Sequence, residues 1–191
     1  MSLPAIWDRM QIAITGTPGT GKTSIARALG TLLGCKIVEA GRLVKAPGGH
    51  THREAGEYVA DMGKLKRKLW GILRKERNAV LEGHLLCELR LPIDLVVVLR
   101  CEPHDLKKRL MKRGYSDKKT RENVLLEALD YCLIHAMENF PKGKVMQVDA
   151  TRKISARELL AKINGFKKKR RLAIIRWLPR LKARELAELG A

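Results

Sequence analysis

The pattern of apolar and polar positions divides the chain into short apolar runs alternating with longer amphipathic stretches. The first ordered unit spans 10–29, where the β-branched run Ile12-Ala13-Ile14-Thr15 reads as a buried parallel strand. Ile25, Ala28, Leu29 and Leu32 then recur at helical spacing over 24–33, and Gly34 stops that helix. Residues 35–39 read as a second strand, and 40–52 as a loop around Pro47-Gly48-Gly49. The stretch 51–77 is expected to be helical in two pieces hinged near Gly63. One face carries Lys64, Lys66, Arg67, Lys68, Arg74, Lys75 and Arg77. Strands follow at 79–82 and 93–99, the latter the clearest continuous apolar run in the chain. A helix over 102–112 has Pro103 in its first turn, and Arg113-Gly114-Tyr115 breaks it. One long helix is expected over 116–139, with Val124, Ala128, Cys132 and Ala136 in its apolar stripe. A fifth strand covers 145–148, and Ser155 caps a last helix carrying Leu159, Leu160 and Ile163.

Strands alternating with helices predict an α/β fold, a parallel sheet with helices on both faces. With 191 residues, 45% of them apolar, the chain has room for one sizeable core. The expected domain is 1–165, ending near Gly165, with a tail over 166–191. That tail opens Lys167-Lys168-Lys169-Arg170-Arg171, and its nine Lys/Arg face only Glu185 and Glu188. Leu172, Ile174, Ile175, Trp177, Leu178 and Leu181 give it an apolar side, which seeks either a partner or the protein's own core.

The net charge of +19 changes the picture of partners rather than of fold. It favours polyanions, nucleic acid first, although charge matched to nucleotide phosphates or a surface adapted to salt or heat would also account for it. Cys35, Cys87, Cys101 and Cys132 have no spacing suited to zinc. No run approaches the roughly 18 apolar residues of a membrane span, and the first ten residues lack signal-peptide character, so a cytoplasmic location is expected.

The chemistry concentrates at Gly16-Thr17-Pro18-Gly19-Thr20-Gly21-Lys22-Thr23, a full P-loop pattern between a strand and a helix. Glycines let backbone N–H groups converge on phosphate, and the helix N-terminus adds partial positive charge. Lys22 can reach the β- and γ-phosphates, and the Thr23 hydroxyl can ligate Mg²⁺. Such a site needs a carboxylate on a neighbouring strand, and Glu82, in Glu82-Gly83-His84, stands where it should act on the metal through water. His84 has two readings, orienting a water or phosphate or simply satisfying its loop. Arginines must neutralise the transferring phosphoryl group, and Arg109 and Arg113 lie in a basic segment whose glycine break points to a short mobile lid.

Three motifs, at 16–24, 82–84 and Arg109-Leu110-Met111-Lys112-Arg113-Gly114-Tyr115-Ser116-Asp117-Lys118-Lys119, resemble in order and spacing the adenylate-kinase-like P-loop proteins. In particular they resemble the branch linked to small ribosomal subunit maturation, which is nuclear in eukaryotes and includes archaeal proteins named as adenylate kinases. The resemblance implies a P-loop NTPase-type three-layer sandwich with five parallel strands in the order 2-3-1-4-5. It also implies a nucleoside-monophosphate arm at about 40–77 and a lid at about 112–122. By that resemblance Gly19, Thr20, Gly21, Lys22, Thr23 and Ser24 bind ATP phosphates, Arg113 is the lid arginine, and Arg152 lies near the adenine. Gly41, Arg42 and Lys45 occupy the monophosphate-binding segment, with Arg42 replacing an acid and Lys45 an arginine; Arg90 is the nearest arginine after His84. The implied activity is transfer of the γ-phosphate of ATP to a nucleoside monophosphate, AMP favoured, with Mg²⁺ as cofactor and ATPase activity tied to rRNA maturation. An assembly ATPase on rRNA or a ribosomal protein is the alternative, and a small-metabolite kinase a weaker one. A monomer or transient complex is expected, with the tail as a docking element for RNA or a ribosomal protein.

Overall fold

The structure, a computed structural model, describes residues 9–54, 57–169 and 174–181. In chain order the elements are β1 (Gln11–Thr15), α1 (Lys22–Leu33), β2 (Lys36–Glu39), α2 (Ala40–Lys45), β3 (His50–Glu54), β4 (Glu57–Ala60) and α3 (Met62–Lys75). They continue with β5 (Ala79–Glu82), β6 (Leu95–Arg100), α4 (Pro103–Lys112), α5 (Asp117–Ala128), α6 (Tyr131–Asn139), β7 (Val145–Asp149) and α7 (Ala156–Lys169).

Five of the strands form one sheet in the order β2-β5-β1-β6-β7, which is the expected 2-3-1-4-5 order when those five are counted along the chain. Its pairings are all parallel, and Ile12 of β1 sits between Val80 of β5 and Leu95 of β6. Two-residue alternation sorts the side chains into two layers. Ile12, Ile14, Leu95, Val97 and Leu99 pack with Ile25 and Leu29 of α1 and with Leu159 and Ile163 of α7. Ala13, Leu81, Val96 and Val98 pack with Leu65, Leu69 and Leu73 of α3 and with Cys132, Leu133 and Ala136 of α6. Both faces of β6 are therefore dry, which explains why its sequence is apolar without a break.

The stretch 50–60 departs from expectation. In place of a helix the chain makes an antiparallel hairpin, β3–β4, before α3 begins behind the Asp61 cap, whose carboxylate accepts from Lys64 N at 2.9 Å. The hairpin is polar and mostly exposed, so no apolar alternation announces it. Side chains bind it locally instead. His50 meets Tyr58 edge-on at 4.5 Å, and the Arg53 guanidinium lies over the same ring at 4.6 Å. Residues 40–45, expected in a loop, form the short helix α2.

The expected long helix over 116–139 is two helices. Asp130 adopts left-handed φ 59°, the conformation short polar side chains tolerate best after glycine, and separates α5 from α6. At the last helix the expected cap is present and reciprocal. Ser155 Oγ accepts from Glu158 N at 3.2 Å, and Glu158 Oε2 accepts from Ser155 N at 2.8 Å. The helix passes through Gly165 to Lys169. Among the apolar tail residues, Trp177 finds its partner within the chain, being only 2% exposed. The first eight residues, Arg170, Arg171, Leu172 and the stretch 182–191 lie outside the described residues, as do the expectations placed on them. Among the described residues no helix is long and apolar enough to cross a membrane.

Candidate nucleotide site

The carboxyl ends of β1 and β5 bring the predicted chemistry together. After β1 the chain turns into the P-loop, passing so close to β6 that a Cβ on Gly16 would stand 2.4 Å from the Leu99 carbonyl oxygen. Gly21, at φ 95°, turns the loop into α1 and supplies no side-chain cap, so the first-turn N–H groups face the loop's concavity.

The Thr17 carbonyl organises the loop from within. It accepts from Lys22 Nζ at 3.0 Å, Thr20 Oγ1 at 2.9 Å and Thr20 N at 3.3 Å. Lys22 is buried, and that burial pushes its ammonium below the usual lysine range. Cys132 and the carboxylates of Glu82 and Glu127 work in the other direction. Glu82 closes β5 and is also buried, which pushes its carboxyl upward. Lys22 and a hydrogen bond from the Thr23 hydroxyl oppose that shift. Lys22, Thr23 and Glu82 thus form one electrostatically linked group at the mouth of the loop.

His84 follows immediately, its carbonyl accepting from Thr15 Oγ1 at 3.1 Å and from Cys87 Sγ at 3.0 Å. Its ring is reached by water, yet it stands in a crowded cleft facing Lys22. Crowding first, and then that positive charge, push the imidazole down to about 4. The ring is therefore neutral near pH 7 and able to accept a proton or orient a water. In the unfolded chain it charges below about 6.5, whereas in the fold it stays neutral to about 4. Its contribution to stability is complete above 6.5 and is lost as the pH falls from 6.5 towards 4. Melting temperatures in closely spaced buffers from pH 4 to 7.5 should fall less steeply on the acid side in His84→Gln than in the wild type. Parallel curves would show that the ring's titration is not linked to folding.

The other predicted residues lie apart from this group. Arg113 caps the C-terminus of α4 and is exposed beside Gly114, whose φ of 76° makes the corner. Arg109 is spent on the loop after β7, donating to the carbonyls of Ala150 (3.0 Å) and Thr151. Arg152, on that same loop, is exposed and paired with Glu158 at 2.8 Å. Gly41, Arg42 and Lys45 are exposed on α2, and Arg42 pairs with Glu39 at 2.7 Å. Two charged residues that sequence reasoning did not single out lie behind the loop. Arg100 and Glu127 are 1% and 2% exposed, paired at 2.8 Å, and Thr17 Oγ1 donates to Glu127 Oε2 at 2.6 Å. The available signal was a carboxylate inside the apolar stripe, between Val124 and Ala128.

The cradle between β1 and α1, with its buried lysine and strand-end carboxylate, defines a P-loop α/β protein. Residues 12–130 match the family described as "AAA domain". The chain belongs to that family, and it is similar along most of its length to archaeal proteins named "Putative adenylate kinase". It is 39% identical over 171 residues to the one from Methanocaldococcus jannaschii, a match covering 88% of this chain and 93% of that protein. It is 41% identical over 171 residues to the one from Pyrococcus abyssi, covering 88% and 91%. Among solved structures, a shikimate kinase from Acinetobacter baumannii superposes with a TM-score of 0.58 at 19% identity, covering 88% of this chain and 98% of that one. A gluconokinase from Sinorhizobium meliloti 1021 gives 0.59 at 16%, covering 85% and 95%. These two likenesses establish the fold.

Proposed function

We propose that the chain is a nucleotide kinase that moves the γ-phosphate of ATP to a nucleoside monophosphate, AMP first among the acceptors. The observation that carries this reading is the grouping of Lys22, Thr23, Glu82 and the neutral His84 around the P-loop. The names of the archaeal relatives support it. In this reading the loop amides from Gly19 to Ser24 hold the phosphates, and Lys22 neutralises charge on the β- and γ-oxygens. Arg113 joins from the lid, 112–122, and Gly41, Arg42 and Lys45 on the arm, 40–77, meet the acceptor. In-line transfer needs positioning and charge neutralisation more than a strong base. Arg109 serves by fixing the loop that bears Arg152 near the adenine.

The donor set fits Mg²⁺, because the Thr23 hydroxyl and Glu82 carboxylate are hard oxygens in mutual contact. They would hold the ion, Glu82 through water, and the ion would neutralise phosphate charge. Glu82→Gln should lower Mg²⁺-dependent turnover about tenfold to a hundredfold while ATP still binds. An undiminished rate would move the metal-side carboxylate elsewhere. Arg113→Ala should lower kcat more than it weakens ATP binding, since a lid arginine acts near the transition state. A loss confined to affinity would make it a ground-state contact.

A second reading, an ATPase serving rRNA and small-subunit maturation, is favoured by the outer face of α3. There Arg67 and Arg74, three residues before and four after Trp70, are exposed with it on one face, Trp70 itself 41% exposed, a basic surface with an aromatic platform. ADP formation from ATP alone, and then with AMP, CMP, UMP or GMP, separates the two. Large stimulation by one monophosphate supports the kinase; equal rates throughout support the ATPase.

A further inference from the structure

The buried carboxylate behind the P-loop has four donors from three parts of the chain. Glu127 Oε2 takes the Thr17 hydroxyl at 2.6 Å. Its Oε1 takes Arg100 Nε at 2.8 Å, Cys101 N at 3.1 Å and Trp177 Nε1 at 3.2 Å. Arg100 is held in turn by Gln147 at 3.0 Å, by the Glu127 and Ile175 carbonyls at 3.0 and 3.4 Å, and by Asp130. Every one of these links can be followed to Thr17, whose carbonyl fixes Lys22 and Thr20.

We infer that Glu127 is a positioning residue for the nucleotide site, and that the segment 174–181 completes it through Trp177. The inference deepens the kinase reading and rests on one part of it, that the P-loop holds ATP phosphates, and not on the identity of the acceptor. The physical argument starts from the cost of burial. A carboxylate this deep persists only if its lone pairs are satisfied, and four donors satisfy them. One of the four is on the catalytic loop and one on a segment far along the chain. A charged acceptor makes the Thr17 bond stronger than a neutral one and fixes its direction. Thr17 cannot swing without breaking that bond, so its carbonyl stays where Lys22 and Thr20 meet it. The indole does for the carboxylate what the carboxylate does for the loop. With its N–H removed, Oε1 keeps Arg100 and Cys101 but loses the donor that closes its far side. The segment after α7 is thereby part of the apparatus that shapes the phosphate cradle.

The test uses the full chain and a fluorescent ATP analogue, titrated directly and beside steady-state kinetics. Thr17→Val keeps shape and deletes the hydroxyl; it should weaken analogue binding about fivefold to tenfold, the scale of one hydrogen bond to a charged group felt indirectly. Thr17→Ser, which restores the hydroxyl, should recover most of that loss. Trp177→Phe keeps an aromatic ring there but removes the N–H and part of the buried bicycle, and should weaken binding about twofold to threefold in a variant shown by circular dichroism to be folded. The double variant Thr17→Val with Trp177→Phe should bind no worse than Thr17→Val alone, because the indole acts through Glu127 on Thr17. Binding within twofold of wild type in Thr17→Val overturns the inference. So does a double variant whose losses multiply, since Trp177 would then act by another route. A wild type that binds the analogue but phosphorylates no monophosphate would defeat the kinase reading and leave this one standing.

Discussion

Lys22→Ala is expected to lower turnover by on the order of a hundredfold or more, the scale of deleting one strong electrostatic stabiliser of a transition state. The ammonium sits at the mouth of the loop, within the field of Glu82 and Glu127, and is held on the Thr17 carbonyl at 3.0 Å. Its removal leaves the Glu82 carboxylate facing the approaching phosphates with no cation between, while Glu127, behind the loop, keeps Arg100. Repulsion then adds to the lost neutralisation, so ATP binding should weaken as well as turnover. Lys22→Met keeps most of the stem and separates the two effects: the fold should stand while the activity falls as far. Steady-state rates beside circular dichroism provide the measurement. Turnover within a few-fold of wild type in a folded variant would remove the lysine from the site.

The second large effect concerns stability. Arg100→Ala should cost about 3–5 kcal/mol, the usual penalty for breaking a buried ion pair by removing one partner. The guanidinium lies 1% exposed at the end of β6 and supplies Glu127, itself 2% exposed, with its nearest cationic donor. Without it a carboxylate remains buried with only neutral donors. A domain of this kind has a total stability of roughly 5–15 kcal/mol, so a large share would be lost. Denaturant unfolding of both proteins gives the difference directly. A loss below about 1 kcal/mol would mean that the cavity admits water to the carboxylate.

The contrast between these two residues marks what the sequence makes legible. Lys22 could be read because the P-loop is local: its spacing, the strand before it and the helix after it are contiguous. The sheet was legible for a related reason, since strands dry on both faces leave unbroken apolar runs such as the one containing Val96–Val98. Arg100 and Glu127 are separated by 27 positions; Arg100 alone resembles an ordinary charged residue at a strand end, and the carboxylate of Glu127 in an apolar stripe signals burial without naming its partner. Only the turn at Asp130 shows why they meet, and an aspartate in left-handed φ leaves no trace in helical periodicity. The β3–β4 hairpin was illegible because it is held by its own rings and hydroxyls and buries little against the body. His84 was visible as a motif, but its neutrality comes from cleft walls that sequence spacing does not describe.

The hairpin also touches the far wall of that cleft. Lys119, in the first turn of α5, is paired with Glu57 at the start of β4, and both lie within electrostatic reach of His84. The two side chains remain 39% and 61% exposed, and pairs so wetted contribute about 0–1 kcal/mol. That is comparable to thermal energy, so the latch springs open readily without disturbing the sheet beneath. Its hold also fades as ions screen it over about 10 Å at 0.1 M salt. Rising salt is therefore expected to loosen the hairpin from α5 while the parallel sheet, held by apolar packing, is little affected.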